Sequence, residues 1–261
     1  MKSTLLLLAT LVLCHTQSIA DNHAGTEPTW SMGAPVEIYG CSFKEGVDGY
    51  KQSQKFAAGW NEWATENEAF EGYVAQMMWP EFSDGQYASD FTWLGYWTTY
   101  EGAGKDMDIR ARNGASMYAQ SDTFLQQCAH SEWGAWDVFS AGDWTKGHHM
   151  TEFADCFYLE GRGDADLLSA NIADASELKS HGITAADFGS VQLWPRAGAP
   201  TGIGDVASFK WVRGYPNLSA YTGFTRKLWN EGVGSAWNTL YGEVVSCDSS
   251  RVYHSEVIRS P

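Results

Sequence analysis

The sequence has 261 residues and a formal net charge of −15 at pH 7. An acidic balance of this size argues against a nucleic-acid partner, because phosphates require a basic surface, and it disfavours an anionic membrane surface. The 13 Trp, 12 Tyr and 12 Phe residues can fill sizeable cores, since each buried aromatic side chain removes roughly 150–250 Å² from water.

The first twenty residues have the features of a cleavable secretory signal. A basic Lys2 precedes an apolar stretch from Leu5 to Leu13, and small residues, Ser18 and Ala20, stand before the polar segment that follows. The apolar stretch is too short to span a bilayer, which needs about 20 such residues. We therefore expect a signal peptide over 1–20, a flexible segment over 21–35 and a secreted or periplasmic mature protein that is free of the membrane.

Downstream of this segment, the predicted elements run strand, helix, strand, strand, helix, strand, and this order then occurs a second time. The first series is Val36–Phe43, Tyr50–Asn67, Gly72–Trp79, Phe91–Trp97, Lys105–Tyr118 and Phe124–Ala129. The second series is Glu152–Leu159, Ala165–Ser180, Phe188–Trp194, Val206–Gly214, Leu218–Glu231 and Glu243–Cys247. The βαββαβ order is that of a ferredoxin-like unit.

Residue matches between the two series indicate an internal duplication. The pairs at an offset of 115 positions include Cys41 with Cys156 and Trp79-Pro80 with Trp194-Pro195. Later pairs, at offsets of 118 and 119, include Trp93 with Trp211 and Cys128 with Cys247. We therefore expect one repeat over 36–131 and another over 151–250, with a linker over 132–150 and a C-terminal tail over 251–261.

Cysteine placement predicts one disulfide in each repeat, Cys41–Cys128 and Cys156–Cys247. The members of each pair lie near the first and last strands of a copy, which are antiparallel neighbours in a ferredoxin-like sheet. A symmetric pairing across the copies is the alternative. No metal site is expected, because the cysteines are not spaced as zinc ligands and the adjacent His148 and His149 would point in opposite directions on an extended segment.

The element order and the duplication resemble the dimeric α/β barrel superfamily, which includes antibiotic-biosynthesis-monooxygenase-like proteins and chlorite dismutases. The resemblance implies an α+β fold in which two ferredoxin-like repeats pack sheet to sheet as a pseudo-dimer. The haem-binding relatives use a histidine on a helix of the second copy, and Leu218–Glu231 contains none. No family catalytic residue can be assigned here, and no cofactor is expected.

Two sets of side chains are candidates for a ligand site. Trp79, Trp93, Trp194 and Trp211 could form an aromatic wall, although large aromatic residues also simply fill the space between sheets. Glu37 and Glu152 recur at matching places and could share a proton if they were buried face to face. Solvated carboxylates at strand ends are the simpler interpretation of that pair.

The sequence therefore favours an exported protein that binds a small apolar or aromatic molecule between its two repeats. A cofactor-independent monooxygenase-like enzyme is the first alternative, and a structural or interaction module without a ligand is the second. The catalytic residues of such an enzyme are not identified by the sequence.

Overall fold

The computed structural model of the protein describes residues 33–83, 89–139, 147–198 and 207–261. The expected signal peptide over 1–20 and most of the segment over 21–35 lie outside these residues. The strands are β1 (Pro35–Phe43), β2 (Tyr73–Phe82), β3 (Phe91–Trp97), β4 (Leu125–Phe139), β5 (His148–Tyr158), β6 (Gly189–Ala197), β7 (Phe209–Tyr215), β8 (Val245–Cys247) and β9 (Arg251–Arg259). The helices are α1 (Gly49–Glu66), α2 (Tyr100–Asn113), α3 (Ala115–Ser121), α4 (Asp164–Ser180), α5 (Leu218–Asn230) and α6 (Val233–Tyr241).

Three helices begin at a polar residue whose side chain accepts a hydrogen bond from the first turn. Asp48 caps α1, Thr99 caps α2 and Asn217 caps α5, and each accepts from the backbone N–H three residues further on. Such caps satisfy a backbone donor that has no partner within the helix.

The predicted helix over Lys105–Tyr118 is instead two helices, α2 and α3, which meet at Gly114. A Cβ atom at this position would lie 2.4 Å from the carbonyl oxygen of Arg110. The backbones therefore approach too closely for any residue but glycine, and the chain turns there to place α3 against α1.

Eight antiparallel strands form one closed barrel, in the order β4-β1-β3-β2-β9-β5-β7-β6, and β6 pairs back with β4. The short β8 pairs with the end of β5 beyond β9. The expectation of two sheets packed face to face is therefore wrong, because the strands are joined edge to edge in a single ring.

Two long strand segments explain the closure. Residues 132–139 continue β4 and pair with β6, and β9 pairs with both β5 and β2. The sequence analysis assigned these residues to a linker and a tail, whereas they are barrel strands. Each half of the chain therefore contributes a strand to the sheet of the other half.

The interior of the barrel is a packed core. Its buried side chains come from strands all around the ring: Val36, Met78, Leu94, Trp133, Phe153, Leu193, Val212 and Tyr253. The alternate side chains of the same strands face outward, where α1 to α3 cover the first half of the barrel and α4 to α6 cover the second.

The prediction of the two disulfides is confirmed. Cys41 is bonded to Cys128 and Cys156 to Cys247, and in each case the two residues are direct partners in the strand register. Within the described ranges, none of the helices is both long enough and apolar enough to cross a membrane.

The Trp-Pro pairs do not end their strands. Strand β2 continues past Pro80 to Phe82, and β6 continues past Pro195 to Ala197. In both places the register with the neighbouring strand shifts. A proline, which has no N–H to donate, is tolerated in a strand where the ladder is irregular in this way.

Candidate functional site

A cavity of about 260 Å³ lies between the outer face of the barrel and the helices of the first half. Strand alternation turns Glu37, Tyr39 and Cys41 of β1 toward these helices, and all three side chains line the cavity. The other lining residues are Phe56, Trp60, Phe70, Phe91, Trp93, Arg110, Met117, Tyr118, Ser121, Asp122, Leu125, Gln126, Gln127 and Cys128. Exposed residues such as Tyr118 and Asp122 form its rim.

Aromatic rings in edge-on contact make up much of the cavity wall. The ring of Trp60 lies 4.9 Å from that of Trp93 at an interplanar angle of 73°, and it contacts Phe70 at 5.1 Å. Phe56 contacts Trp93 at 6.0 Å. These separations are typical of favourable aromatic pairs, so the wall is a rigid apolar surface.

The floor of the cavity contains a buried carboxylate, since Glu37 is only 1% exposed. It accepts hydrogen bonds from the Tyr73 hydroxyl at 2.7 Å and from Arg110 Nη1 at 2.9 Å. The Nε2 atom of His130 lies 3.1 Å from Oε2 of Glu37, the same carboxylate oxygen that Arg110 contacts. Arg110 Nη1 also donates to the Tyr39 hydroxyl at 2.6 Å. Glu37, Tyr39 and Arg110 line the cavity, and Tyr73 and His130 contact Glu37; we call these five residues the floor cluster.

These contacts determine the ionisation of the cluster. Burial alone would raise the pKa of Glu37, but His130, Arg110 and Tyr73 together outweigh burial and lower it. Burial and the charge of Glu37 raise the pKa values of both Tyr39 and Tyr73. The charge of Glu37 also raises the pKa of Arg110 against the effect of burial. The floor therefore holds an ion pair and two neutral phenols at neutral pH.

A glycine creates the room for this arrangement. Gly95 of β3 is the register partner of Glu37, and a Cβ atom there would lie 1.6 Å from the Tyr73 hydroxyl oxygen. Any side chain at Gly95 would displace Tyr73 from Glu37. Trp93 Nε1 also donates to the same hydroxyl at 2.9 Å, which holds the phenol in place.

The second half of the chain has a similar buried carboxylate but fills the surrounding space with side chains. Glu152 accepts from Arg213 at 3.2 Å and from the Tyr215 hydroxyl at 2.7 Å. The guanidinium of Arg213 lies between the rings of Trp211 and Trp237, at 4.8 and 4.6 Å from their centroids. An arginine here takes the register position that Gly95 holds in the first half.

The predicted ligand residues are not brought together at one site. Glu37 and Trp93 line the cavity, whereas Glu152 and Trp211 belong to the packed cluster of the second half. The idea that the two glutamates face each other is wrong, because each pairs with its own arginine. The remaining two tryptophans lie outside the cavity.

Those two tryptophans are half-buried at matching strand positions. Trp79 lies against Tyr50 at 5.0 Å, and Trp194 packs against Trp136 at 4.8 Å and Phe209 at 5.1 Å. Their contacts are those of packing residues at the ends of the barrel.

Sequence reasoning missed four members of the floor cluster. Tyr39 follows Glu37 at the alternate strand position, so it could have been found from the same periodicity. Arg110 and Tyr73 come from separate elements and reach Glu37 only through the tertiary fold. His130 lies opposite Tyr39 on the neighbouring strand β4 and contacts Glu37 from there.

The other histidines do not join this cluster. His149 lies 3.1 Å from Gln76, and burial lowers its pKa to about 4, with further lowering by His254 and His148. His148 and His254 lie 3.2 Å apart at an exposed position. In the described residues there is no group of three or more His, Cys, Asp or Glu side chains that could hold a metal ion.

The fold has counterparts among solved structures. No protein-family model and no curated protein matches the chain. A candidate monooxygenase from Lactobacillus acidophilus NCFM superimposes with a TM-score of 0.51 at 9% identity, covering 87% of this chain and 95% of the other. A candidate monooxygenase from Fusobacterium nucleatum gives 0.52 at 7% identity, covering 87% and 93%.

A variant of the chlorite dismutase from Candidatus Nitrospira defluvii gives a TM-score of 0.49 at 7% identity, covering 87% of this chain and 93% of the other. The fold of the protein is thus of the dimeric α/β barrel type. At these identities the likeness shows the fold alone.

Proposed function

We propose that the protein binds a small aromatic molecule in the cavity between the barrel and helices α1 to α3. The observation that carries this proposal is an aromatic-walled cavity of about 260 Å³ with a buried ion pair, Glu37 with Arg110, at its floor. Apolar walls with a few convergent polar groups are the usual composition of a ligand site.

The size of the cavity limits the ligand. A cavity of about 150 Å³ accepts benzene, and sites for drug-sized ligands begin near 300 Å³. This cavity lies between these values, which favours a molecule of one or two rings. The ligand is placed here rather than between the two halves, because the barrel interior is occupied by its own side chains.

A thermal-shift screen of one-ring and two-ring aromatic compounds tests the proposal, because a ligand that binds only the folded state raises its melting temperature. We expect Ser121→Trp, at the cavity rim, to fill the cavity and abolish the shift. Ser116→Trp, on an exposed position of the same helix α3, is the matched control and should retain it. An unchanged shift in Ser121→Trp would place the ligand elsewhere.

A cofactor-independent monooxygenase is the second candidate. It is favoured by the convergence of a carboxylate, a guanidinium and two phenols with shifted pKa values on one apolar cavity. The two structural neighbours from Lactobacillus acidophilus and Fusobacterium nucleatum are themselves described as candidate monooxygenases. An enzyme of this type can convert an activated CH₂ group and O₂ into C=O and water, so the substrate supplies all the electrons.

Oxygen consumption decides between binding and catalysis. Each compound that the screen identifies would be incubated with the protein and ¹⁸O₂, and an oxygenase would place one labelled atom in the product. We expect Arg110→Gln to lose this turnover. If no bound compound consumes oxygen, the enzyme proposal fails and the binding proposal stands.

The residues present do not fit a histidine-ligated haem on the second half. Helix α5 contains no histidine. His181, at the end of α4, is held by Glu177 at 3.1 Å.

We further propose that the chain arose by duplication and acts outside the cytoplasm. Support for duplication comes from the matching disulfides and from the buried glutamates, Glu37 and Glu152, at corresponding strand positions. The proposed repeats remain 36–131 and 151–250, related as in a pseudo-dimer. Support for export comes from the two disulfides, which persist in oxidising compartments. Mass determination of the mature N-terminus tests the expected cleavage after Ala20.

A further inference from the structure

His130 connects the buried floor cluster with solvent. It lies on β4 directly opposite Tyr39, and the two rings stack at 3.8 Å with an interplanar angle of 4°. Its Nε2 atom contacts Glu37, while its side chain remains 37% exposed. The imidazole is therefore open to solvent while it contacts Glu37, a residue that lines the cavity.

The second half of the chain contains a buried glutamate whose hydrogen bonds come from an arginine and a tyrosine, without a histidine. There, one arginine and one tyrosine satisfy Glu152, at 3.2 and 2.7 Å. Glu37 already has the corresponding partners in Arg110 and Tyr73. His130 is an additional ionisable group, and it occurs in the half that has the cavity.

The charged groups near His130 are paired with one another or exposed to solvent. The titratable and charged groups that line the cavity are Glu37, Tyr39, Arg110, Tyr118 and Asp122, while Tyr73 contacts Glu37, and Glu132 of β4 and Arg196 of β6 lie next to His130 in the sheet. Glu37 is paired with Arg110, and Glu132 with Arg196 at 3.4 Å. The rim residue Asp122 is exposed and screened by solvent, and Lys44 Nζ donates to its carbonyl oxygen. A protonated His130 thus adds one positive charge beside the ion pair of Glu37 and Arg110.

Resting on the binding function proposed above, we propose that the cavity takes an aromatic carboxylate and that the protonated imidazole of His130 supplies the charge that balances it. Arg110 contributes the directional contact. Its described contacts use two donors on Nη1 and one on Nη2, which leaves two of the five guanidinium donors for a carboxylate oxygen. A neutral ligand of the same shape would gain nothing from His130.

Calorimetric titration with naphthoate and naphthamide tests this assignment, because the two probes share shape and differ in charge. Carboxylic acids titrate at about pH 4, so naphthoate is ionised both near pH 5.5 and near pH 8. We expect naphthoate to bind about tenfold more tightly at the lower pH, because a proton added to the imidazole attracts the carboxylate, and the affinity for naphthamide to stay constant.

The His130→Gln variant should lose the pH dependence of naphthoate binding. His254→Gln, which removes another exposed histidine outside the cavity, is the matched control and should keep it. The assignment is overturned if naphthamide binds as tightly as naphthoate near pH 5.5, or if His130→Gln retains the pH dependence. In either case the binding function stands, whereas binding of neither probe by the wild-type protein would overturn both proposals.

Discussion

The ion pair between Glu37 and Arg110 shows how a buried charge becomes a structural requirement. Both side chains are largely removed from water, with exposures of 2% and 13%. We expect Glu37→Gln to lower the free energy of unfolding by about 3–5 kcal/mol, because it leaves the guanidinium buried without its counter-charge. Urea unfolding measures the loss. A smaller loss in the double variant Glu37→Gln/Arg110→Gln would show that the unpaired charge is the cause, and an equal or larger loss would contradict it.

Asp174 in the second half gives stability a dependence on pH. Burial raises its pKa to about 6, although hydrogen bonds from Trp237 and Tyr241 act in the opposite direction. The folded state therefore favours the protonated acid, so this contribution is complete below the unfolded pKa of about 4 and is lost as pH rises through 6. The loss is of the order of 3 kcal/mol. Asp174→Asn should remove it.

His149 acts in the opposite direction over a similar range. Its pKa is lowered to about 4, so the folded state favours the neutral imidazole. Its contribution is present above the unfolded pKa of about 6.5 and is lost as pH falls toward 4. We expect the two effects to offset each other in the wild-type protein. Between about pH 4 and pH 6.5, stability should rise with pH in Asp174→Asn and fall with pH in His149→Gln. Equal slopes of the free energy of unfolding against pH in the two variants would contradict the opposing effects of Asp174 and His149.

At the scale of elements, α3 and α6 account for the difference between the two halves. Trp237 and Tyr241 of α6 pack against Trp211, at 5.9 and 4.6 Å. At the corresponding place α3 has Tyr118, which is 50% exposed. Helix α6 therefore fills the space outside its half of the barrel, whereas α3 leaves the cavity open.

A substitution of Trp194 in β6 distinguishes a packing role from a role in ligand binding. Trp194 contacts Trp136, Phe209 and Tyr158 and lies outside the cavity. We expect Trp194→Ala to cost about 3 kcal/mol, the lower end for truncation of a tryptophan, because the side chain is only half-buried. The affinity for a ligand found by the screen should be unchanged. Loss of ligand binding at unchanged stability would instead identify Trp194 as a ligand-binding residue.

The sequence predicted much of the element order but not the closure. Alternation and turn residues were enough to identify β1, β2, β3 and the long helix α1, and cysteine placement predicted both disulfides. Strand β9 shows the limit, since its residues were assigned to a tail. Its partners, β2 and β5, are distant in sequence, and local patterns contain no information on such pairs.

The candidate site was less accessible from the sequence. Glu37 and Trp93 were identified from the repeat. The cavity is open because α3 places no buried aromatic side chains there as α6 does in the second half. It also depends on Gly95, which leaves room for Tyr73, and this proximity arises only in the folded structure. Volumes left empty by small residues have no signature in composition or periodicity.

At the scale of the whole molecule, the ring of strands makes the two halves interdependent. The pairs β4–β6 and β2–β9 cross between the halves. We expect residues 33–139 and 147–261, produced as separate chains, to be unstable alone and to assemble when mixed. Circular dichroism of each fragment and of the mixture tests this expectation. A first fragment that folds cooperatively alone would contradict it.

The strand pairs β4–β6 and β2–β9 also allow two molecules to exchange halves by domain swapping. Strand β4 ends at Phe139 and β5 begins at His148, so the halves are joined by a short connection. If that connection were shortened, the first half of one molecule could complete its ring with the second half of another and form the same hydrogen bonds. We expect deletion of residues 141–145 to yield a swapped dimer on native mass spectrometry, with both disulfides still formed within each chain. The length of this connection, more than any contact surface, would then decide whether the protein is a monomer.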